Sequence, residues 1–169
     1  WSVANGQIDL AIIGGQLPPE LESLLEITPY ATDELALVLP SKHRLSKEKE
    51  LTKEDLYTLN FVTLDSQSTT RKVVDNLLKN SGLEIQRLKI EMELNSLEAI
   101  KNAVQSGLGA AFLPVVSIER ELASGTIHKP LMTDLGVKRE LKLITNPSRY
   151  TSKASEAFKK DILPQFSSF

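Results

Sequence analysis

The sequence has no cysteine, only two histidines and one tryptophan, and no long apolar run. Without cysteine there are no disulfides, no zinc–thiolate sites and no thiol catalysis. The apolar runs are far shorter than the roughly 20 residues of a membrane span, and no signal peptide is found, so we expect no membrane contact. The net charge of −2 is not that of a free-standing nucleic-acid-binding domain. If the chain acts on DNA, residues outside it must contact the phosphates.

Catalytic patterns are also missing. His43 and His128 lie far apart in polar surroundings and are predicted to be surface residues. No HExxH, GxSxG or P-loop pattern occurs, and the acidic residues are interspersed with lysines, as on a solvated face. Gly107-Leu108-Gly109 lacks the third glycine of a dinucleotide fingerprint and closes a helix instead of opening one. We therefore expect no catalytic residue, no metal site and no resident cofactor.

The 169 residues are 41% hydrophobic and 25% charged, which is enough for a globular core. Short apolar runs alternate with segments that carry one apolar helical stripe. Strands are predicted over residues 9–15, 34–40, 60–64, 88–94, 110–113 and 141–144. Helices are predicted over residues 71–79, 97–104, 116–123 and 152–163, with a short one from residue 52. This alternation predicts an α/β fold with a mainly parallel sheet.

The strongest candidate site is a polar run between a strand and a helix. It consists of Ser66, Gln67, Ser68, Thr69, Thr70 and Arg71. The first N–H groups of a helix have no intrahelical partner, and the helix dipole favours an anion there. The hydroxyls and the guanidinium group can add hydrogen bonds to a carboxylate or phosphate. A single capping hydroxyl, with the other side chains solvated, is an equally good explanation on these residues alone.

Two further turns follow predicted strands. Asn95 and Ser96 precede a helix, with Asn95 in the N-cap position and Glu98 at the third helical position. Gly14 and Gly15 end the first strand, and glycine lets the backbone approach a ligand closely. Capping and a tight turn are the simpler explanations of these residues. Because open α/β sheets bind ligands at the carboxyl ends of their strands, all three turns are expected to converge on one cleft.

Three ordered segments resemble the LysR-type transcriptional regulators. Residues 5–12 resemble the family's "G-x-hydrophobic-D-hydrophobic-A" strand. Residues 33–45 resemble its "EL-hydrophobic-LV-P-x-x-HPL" segment, with Arg44 where proline is usual, and residues 104–114 resemble "V-x-x-G-x-G-hydrophobic-x-hydrophobic-x-P". Residues 91–101 are similar to the Calvin-cycle branch, which regulates genes of the CO2-fixing enzyme, RuBisCO, in cyanobacteria and algal plastids.

The resemblance implies an α/β fold like that of type 2 periplasmic binding proteins, with two lobes joined by two crossing strands. The crossings are expected near residues 39–41 and 130–141. The first lobe would comprise residues 1–40 and 134–169, and the second lobe residues 41–133. The opening strand and helix of the first lobe are expected to precede this chain.

The resemblance also implies a function. In the family a small effector sits between the lobes and touches the turns after strands, which here are Ser66–Arg71, Asn95–Ser96 and Gly14–Gly15. For the Calvin-cycle branch the implied effector is a sugar bisphosphate, 2-phosphoglycolate, 2-oxoglutarate or NADPH. The implied partners are a second copy, as homodimer or homotetramer, and DNA, through an N-terminal winged helix-turn-helix that is absent from this chain. The implied location is a cyanobacterial cytoplasm or a chloroplast stroma.

Two alternatives share this fold. One is the solute-binding protein of a transporter, which has no DNA partner. The other is an enzyme such as a deaminase or dehydratase, which is disfavoured because no acid–base pair with a supporting motif is found. An upstream helix-turn-helix, as opposed to a signal peptide or lipobox, would distinguish the regulator from the transporter protein.

Overall fold

A computed structural model of the chain describes residues 1–132, 135 and 137–166. Its strands are β1 (Leu10–Ile13), β2 (Glu26–Pro40), β3 (Glu50–Leu51), β4 (Asn60–Leu64), β5 (Lys89–Leu94), β6 (Ala111–Pro114), β7 (Ile127–His128), β8 (Leu131–Met132) and β9 (Val137–Thr145). Its α-helices are α1 (Pro19–Glu22), α2 (Lys53–Leu56), α3 (Thr69–Asn80), α4 (Leu97–Gln105), α5 (Glu119–Ala123) and α6 (Lys153–Ala157).

The chain forms two compact units. The first unit comprises Trp1–Asp33 and Arg139–Phe169, and the second comprises Glu34–Lys138. The unit boundaries therefore fall inside the two longest strands, β2 and β9. The lobes predicted from the sequence have boundaries after residue 40 and between residues 133 and 134. The second of these lies outside the described residues, and the lobe assignment stays a prediction.

In the first unit, β1 pairs antiparallel with β9, and β9 in turn lies beside β2. Val3, Leu21 and Ile144 belong to a small buried cluster that Ala11 and Ile13 of β1 pack against. Ile12 is 41% exposed, because side chains alternate between the two faces of a strand. The prediction of a fully buried first strand is therefore wrong.

The second unit contains both parallel and antiparallel pairs. The end of β2 runs antiparallel to β6 and to β7. β4 is parallel to β5, and a parallel bridge joins Phe61 of β4 to Ala110, just before β6. The prediction of a mainly parallel sheet is wrong, because the alternation of strands and helices along the chain does not show which strands become neighbours, and β2 pairs antiparallel with β6 and β7. The parallel strands β4, β5 and β6 still place their carboxyl ends at one edge.

Two buried clusters lie on opposite faces of β4. Phe61 packs in one cluster with Val74 and Leu78 of α3. Val62, the next residue, packs in the other cluster with Ile100 and other residues of α4. Because α3 and α4 follow β4 and β5 directly, both helices begin at the edge where those strands end.

Candidate functional site

Two of the predicted turns are neighbours. Leu64 and Leu94, the last residues of β4 and β5, are paired, and the amide of Asp65 donates a hydrogen bond to the carbonyl oxygen of Leu94 (3.1 Å). The residues that follow, 66–71 and 95–96, therefore leave the sheet side by side. Gly14 and Gly15 follow β1 in the first unit and are described within that unit.

The turn before α3 is ordered by its own polar groups. Oδ1 of Asp65 accepts a hydrogen bond from the Gln67 amide (2.9 Å), and Oγ of Ser68 accepts one from the Arg71 amide (3.4 Å). Ser68 is thus the N-cap of α3. The amides of the first helical residues, 69 and 70, have no intrahelical partner at such a position and can bind an anion. Ser66 and Gln67 are exposed, and the side chain of Thr69 lies outside the described part of the structure.

The N-cap of α4 is Ser96, and the prediction of Asn95 in that role is wrong. Oγ of Ser96 accepts a hydrogen bond from the Ala99 amide (3.2 Å), so Glu98 occupies the second helical position instead of the third. Asparagine and serine cap helices about equally well, so the sequence alone did not decide between neighbouring candidates. Both residues are exposed beside the turn of α3.

Arg71 is engaged by protein groups. Its Nε donates to both carboxylate oxygens of Asp75 (2.8 Å each), and its Nη1 donates to the carbonyl oxygen of Leu64 (3.0 Å) and to Oε1 of Glu93 (3.4 Å). The guanidinium group therefore ties α3 to the ends of β4 and β5. Sequence reasoning identified Arg71 but missed Asp75 and Glu93. The spacing of four residues between Arg71 and Asp75 on a helix was the available signal.

A pocket lies beneath the first turns of α3. Phe61 and Phe112 stack within its lining, with ring centroids 5.8 Å apart. Leu35 and Val74 add to the apolar lining, and the polar residues that line it include Thr63, Thr70, Arg71 and Asp75. An apolar lining thus adjoins the residues predicted to bind an anion.

In the first unit, Gly14 makes room for an arginine. A Cβ atom at Gly14 would lie 3.1 Å from Cδ of Arg139 and 3.1 Å from Cδ2 of Leu141. The guanidinium group of Arg139 donates two hydrogen bonds to Oδ2 of Asp33, which is buried. Gly14 therefore has a packing role, because it leaves room for Arg139. The guanidinium group of Arg139, paired with Asp33, lies beside the turn that contains Gly14. Sequence reasoning missed both charged residues, although each stands at the margin of a predicted apolar strand.

A buried lysine fixes α4. Nζ of Lys101 contacts Glu98 (2.7 Å), Glu121 of α5 (3.0 Å) and the carbonyl oxygen of Ser117 (3.1 Å). Hydrogen bonding to Glu98 and then to Glu121 raises the pKa of Lys101, and the hydrogen bond from Lys101 lowers the pKa of Glu121. These contacts hold the helix that carries Ser96 against α5.

The described residues offer neither a cluster of metal ligands nor a membrane-spanning helix. Over residues 1–132, 135 and 137–166, no group of three or more histidine, cysteine, aspartate or glutamate side chains is arranged to hold a metal ion. In the same part of the chain, no helix has the length and apolarity needed to cross a bilayer.

Comparison with known proteins identifies the family. Residues 1–167 match the model of the LysR substrate binding domain. The chain belongs to the LysR family. The matched family confirms the resemblance drawn from residues 5–12, 33–45 and 104–114.

Two curated relatives of this LysR-family domain carry the same name. The probable RuBisCO transcriptional regulator of Trichormus variabilis is 61% identical over 166 residues, which cover 98% of this chain and 49% of that protein. The probable RuBisCO transcriptional regulator of the alga Porphyra purpurea is 57% identical, with coverage of 98% and 52%. The chain thus spans about half the length of these relatives. Their names agree with the predicted Calvin-cycle branch, and nothing supports a transporter protein.

Solved structures confirm the fold. The regulatory domain of CcmR from Synechocystis PCC6803, in complex with 2-PG, superposes with a TM-score of 0.80 at 23% identity, covering 99% of this chain and 77% of that one. The effector-binding domain of QuiR, in complex with shikimate, gives 0.76 at 24% identity, covering 97% and 74%. At these identities the likeness shows the fold alone, which is the α/β, periplasmic-binding-protein-like fold of LysR effector-binding domains.

Proposed function

We propose that this chain is the effector-sensing domain of a transcription regulator of RuBisCO genes, and that it responds to a small anionic metabolite. The names of its relatives support the regulatory role. The observation that supports an anionic ligand is the placement of two helix N-termini side by side, at the paired ends of β4 and β5. Partial positive charge from both helices then falls on one small region.

The proposed binding residues of the second unit are those of its two turns, Ser66, Gln67, Ser68, Thr69, Thr70, Arg71, Asn95 and Ser96. Gly14 and Gly15 belong to the first unit and stay a separate prediction. The amides of the first turn of α3 would contact the anion directly, and Thr70, which lines the adjacent pocket, would add a hydroxyl donor. Arg71 would act mainly through its contacts with β4 and β5, since its Nε and Nη1 already donate to protein acceptors.

Among the effectors implied by the family, we favour 2-phosphoglycolate over a sugar bisphosphate, 2-oxoglutarate or NADPH. The support is the 2-PG complex of a neighbour with the same fold. An effector that binds one conformation better shifts the population toward it, by no more than its difference in affinity. A homodimer or homotetramer would transmit that shift to a winged helix-turn-helix outside these residues. The regulator would act in a cyanobacterial cytoplasm or a plastid stroma.

A ligand screen on the full-length regulator tests this proposal. Each of the four metabolites is added while the unfolding temperature is measured, and binding is then quantified by calorimetry. A true effector at 100 times its dissociation constant adds about 2.7 kcal/mol of stability. Thr70→Val keeps the shape of the side chain but removes its hydroxyl, and it should weaken binding about tenfold. Ser106→Ala, at the exposed opposite end of α4, is the matched control and should bind like the wild type.

The outcomes separate the two parts of the proposal. If none of the four anions binds, the sensing function is wrong. If one anion binds and Thr70→Val has no effect, the sensing function stands but the assignment of the site to the first turn of α3 is wrong.

A further inference from the structure

Arg71, at the candidate site, contacts two carboxylate groups. The side chain of Arg71 is only 10% exposed, and it contacts Asp75, which is 31% exposed, and Glu93, which is 42% exposed. One positive group thus contacts two negative groups, one in α3 and one in β5. An anion at the N-terminus of this helix is attracted by backbone amides but repelled by the excess carboxylate charge.

Of the two acidic residues, Asp75 contributes more to the electrostatic field at the site. Both of its oxygens lie 2.8 Å from Nε of Arg71, whereas the contact of Glu93 with Nη1 is 3.4 Å. Asp75 is also the less exposed, so water screens its charge less. It stands about one and a half helical turns from the amides that would bind the anion, and it lines the same pocket as Thr70.

We propose that Asp75 determines the charge selectivity of the site, because it offsets the positive charge of Arg71 and so limits the affinity for multiply charged anions. This inference rests on the proposed function. Asp75 is a specificity-determining residue here: it acts on the ligand through the electrostatic field and through Arg71. The site then admits a phosphate-bearing metabolite without binding every polyanion tightly.

The physical basis is that the interaction energy of a fixed charge with a ligand is proportional to the charge of the ligand. Removal of one carboxylate therefore changes the affinity by a factor that is squared for a dianion relative to a monoanion. With substantial solvent screening, we expect about threefold for a monoanion and about tenfold for a dianion.

The test is Asp75→Asn in the full-length regulator, with glycolate and 2-phosphoglycolate as probes. Asparagine keeps an oxygen that can accept the hydrogen bond from Nε, so Arg71 should stay in place. 2-Phosphoglycolate carries a carboxylate and a phosphate group, so its charge near neutral pH lies between about −2 and −3. Calorimetric titration should therefore show binding about tenfold to thirtyfold tighter than in the wild type, with a steeper salt dependence. Glycolate, measured by competition, should improve by only about threefold. Glu48→Gln makes the same change in net charge at an exposed position before β3 and should leave both affinities unchanged.

The two proposals fail in different ways. If the wild type binds neither probe, the proposed function fails. If the wild type binds 2-phosphoglycolate and Asp75→Asn weakens both ligands or changes neither, Asp75 only stabilises the helix and this inference is overturned. Should Asp75→Asn lower the unfolding temperature so far that it cannot be titrated, Asp75→Gln, which also removes the charge and keeps an acceptor oxygen, is measured in its place. The same tightening of 2-phosphoglycolate is expected, and unchanged or weaker binding would equally overturn the inference.

Discussion

Oδ2 of Asp33 accepts two hydrogen bonds from the guanidinium group of Arg139, at 2.9 Å from Nε and 2.6 Å from Nη2. The side chains are only 6% and 15% exposed, and the two residues are 106 positions apart in the sequence. They stand at the ends of the two segments that form the first unit. A buried ion pair at this place joins β2 to β9.

We predict that Arg139→Met destabilises the chain by about 3–5 kcal/mol, because it leaves the carboxylate of Asp33 buried without its partner. The loss in free energy of unfolding is measured by urea denaturation monitored by circular dichroism. Lys138→Met, a similar change at the exposed neighbouring position, should cost less than about 0.5 kcal/mol. The double variant with Asp33→Leu should be more stable than Arg139→Met alone. A single-variant cost below about 1 kcal/mol would show that the pair is not a structural element.

Gly109 and Gly107 should differ in their tolerance of alanine. A Cβ atom at Gly109 would lie 2.7 Å from the carbonyl oxygen of Asn60, which is held by a hydrogen bond from the Ala110 amide (2.8 Å). Gly109→Ala must push β4 and β6 apart and should cost more than about 2 kcal/mol. At Gly107 the φ angle is +85°, but a Cβ atom meets no described atom within 4 Å. Gly107→Ala should cost only about 1 kcal/mol. Equal costs, measured by thermal unfolding, would contradict this assignment.

Local patterns predicted β4 and α3 but not the first part of β2 or the segment before α5. The strand predicted over residues 60–64 coincides with β4, and the helix predicted over residues 71–79 lies within α3. The first eight residues of β2 were missed because Glu26–Asp33 is polar and contains Pro29. The helix predicted over residues 116–123 is a 3₁₀ turn followed by the short α5.

The candidate site could also be predicted only in part. A hydroxyl-rich segment between a strand and a helix identified both turns, because capping and anion binding require the same residue types. The partners of these residues were not predictable. The contact of Arg71 with Glu93 spans 22 positions and that of Arg139 with Asp33 spans 106, so both depend on how the strands associate and leave no local signal.

The Lys101–Glu121 contact should make stability depend on pH. The pKa of Glu121 is lowered from 4.5, so its contribution is present above about pH 4.5 and is lost as the pH falls through the folded value. The pKa of Lys101 is raised from 10.5, so its contribution is fully present below that pH and is lost as the pH rises through the folded value. Glu121→Gln should cost about 1.5 kcal/mol at pH 7. The difference from the wild type should shrink below pH 4.5 in urea denaturation series.

Glu119→Gln is the control for that series, because Glu119 is an exposed residue of the same helix. It should leave the stability within about 0.5 kcal/mol of the wild type at every pH. A Glu121→Gln variant whose cost stays constant down to pH 3 would mean that packing, and not the ion pair, holds α5 against α4.

His43 should destabilise the chain in mild acid. Its Nδ1 accepts a hydrogen bond from the Leu45 amide (3.3 Å) at the start of the 3₁₀ turn Arg44–Lys47, which requires the unprotonated nitrogen. Burial, and secondarily the charge of Arg44, lower the pKa of His43 below 6.5. Its contribution is therefore present above about pH 6.5 and is lost as the pH falls through the folded value. His43→Asn keeps a capping acceptor that does not titrate, so the free energy of unfolding of the wild type should fall relative to this variant between pH 7 and pH 5. Between pH 7.5 and 8.5 the difference should be constant. If it is also constant down to pH 5, the hydrogen bond that the Leu45 amide donates to Nδ1 of His43 contributes nothing measurable to stability.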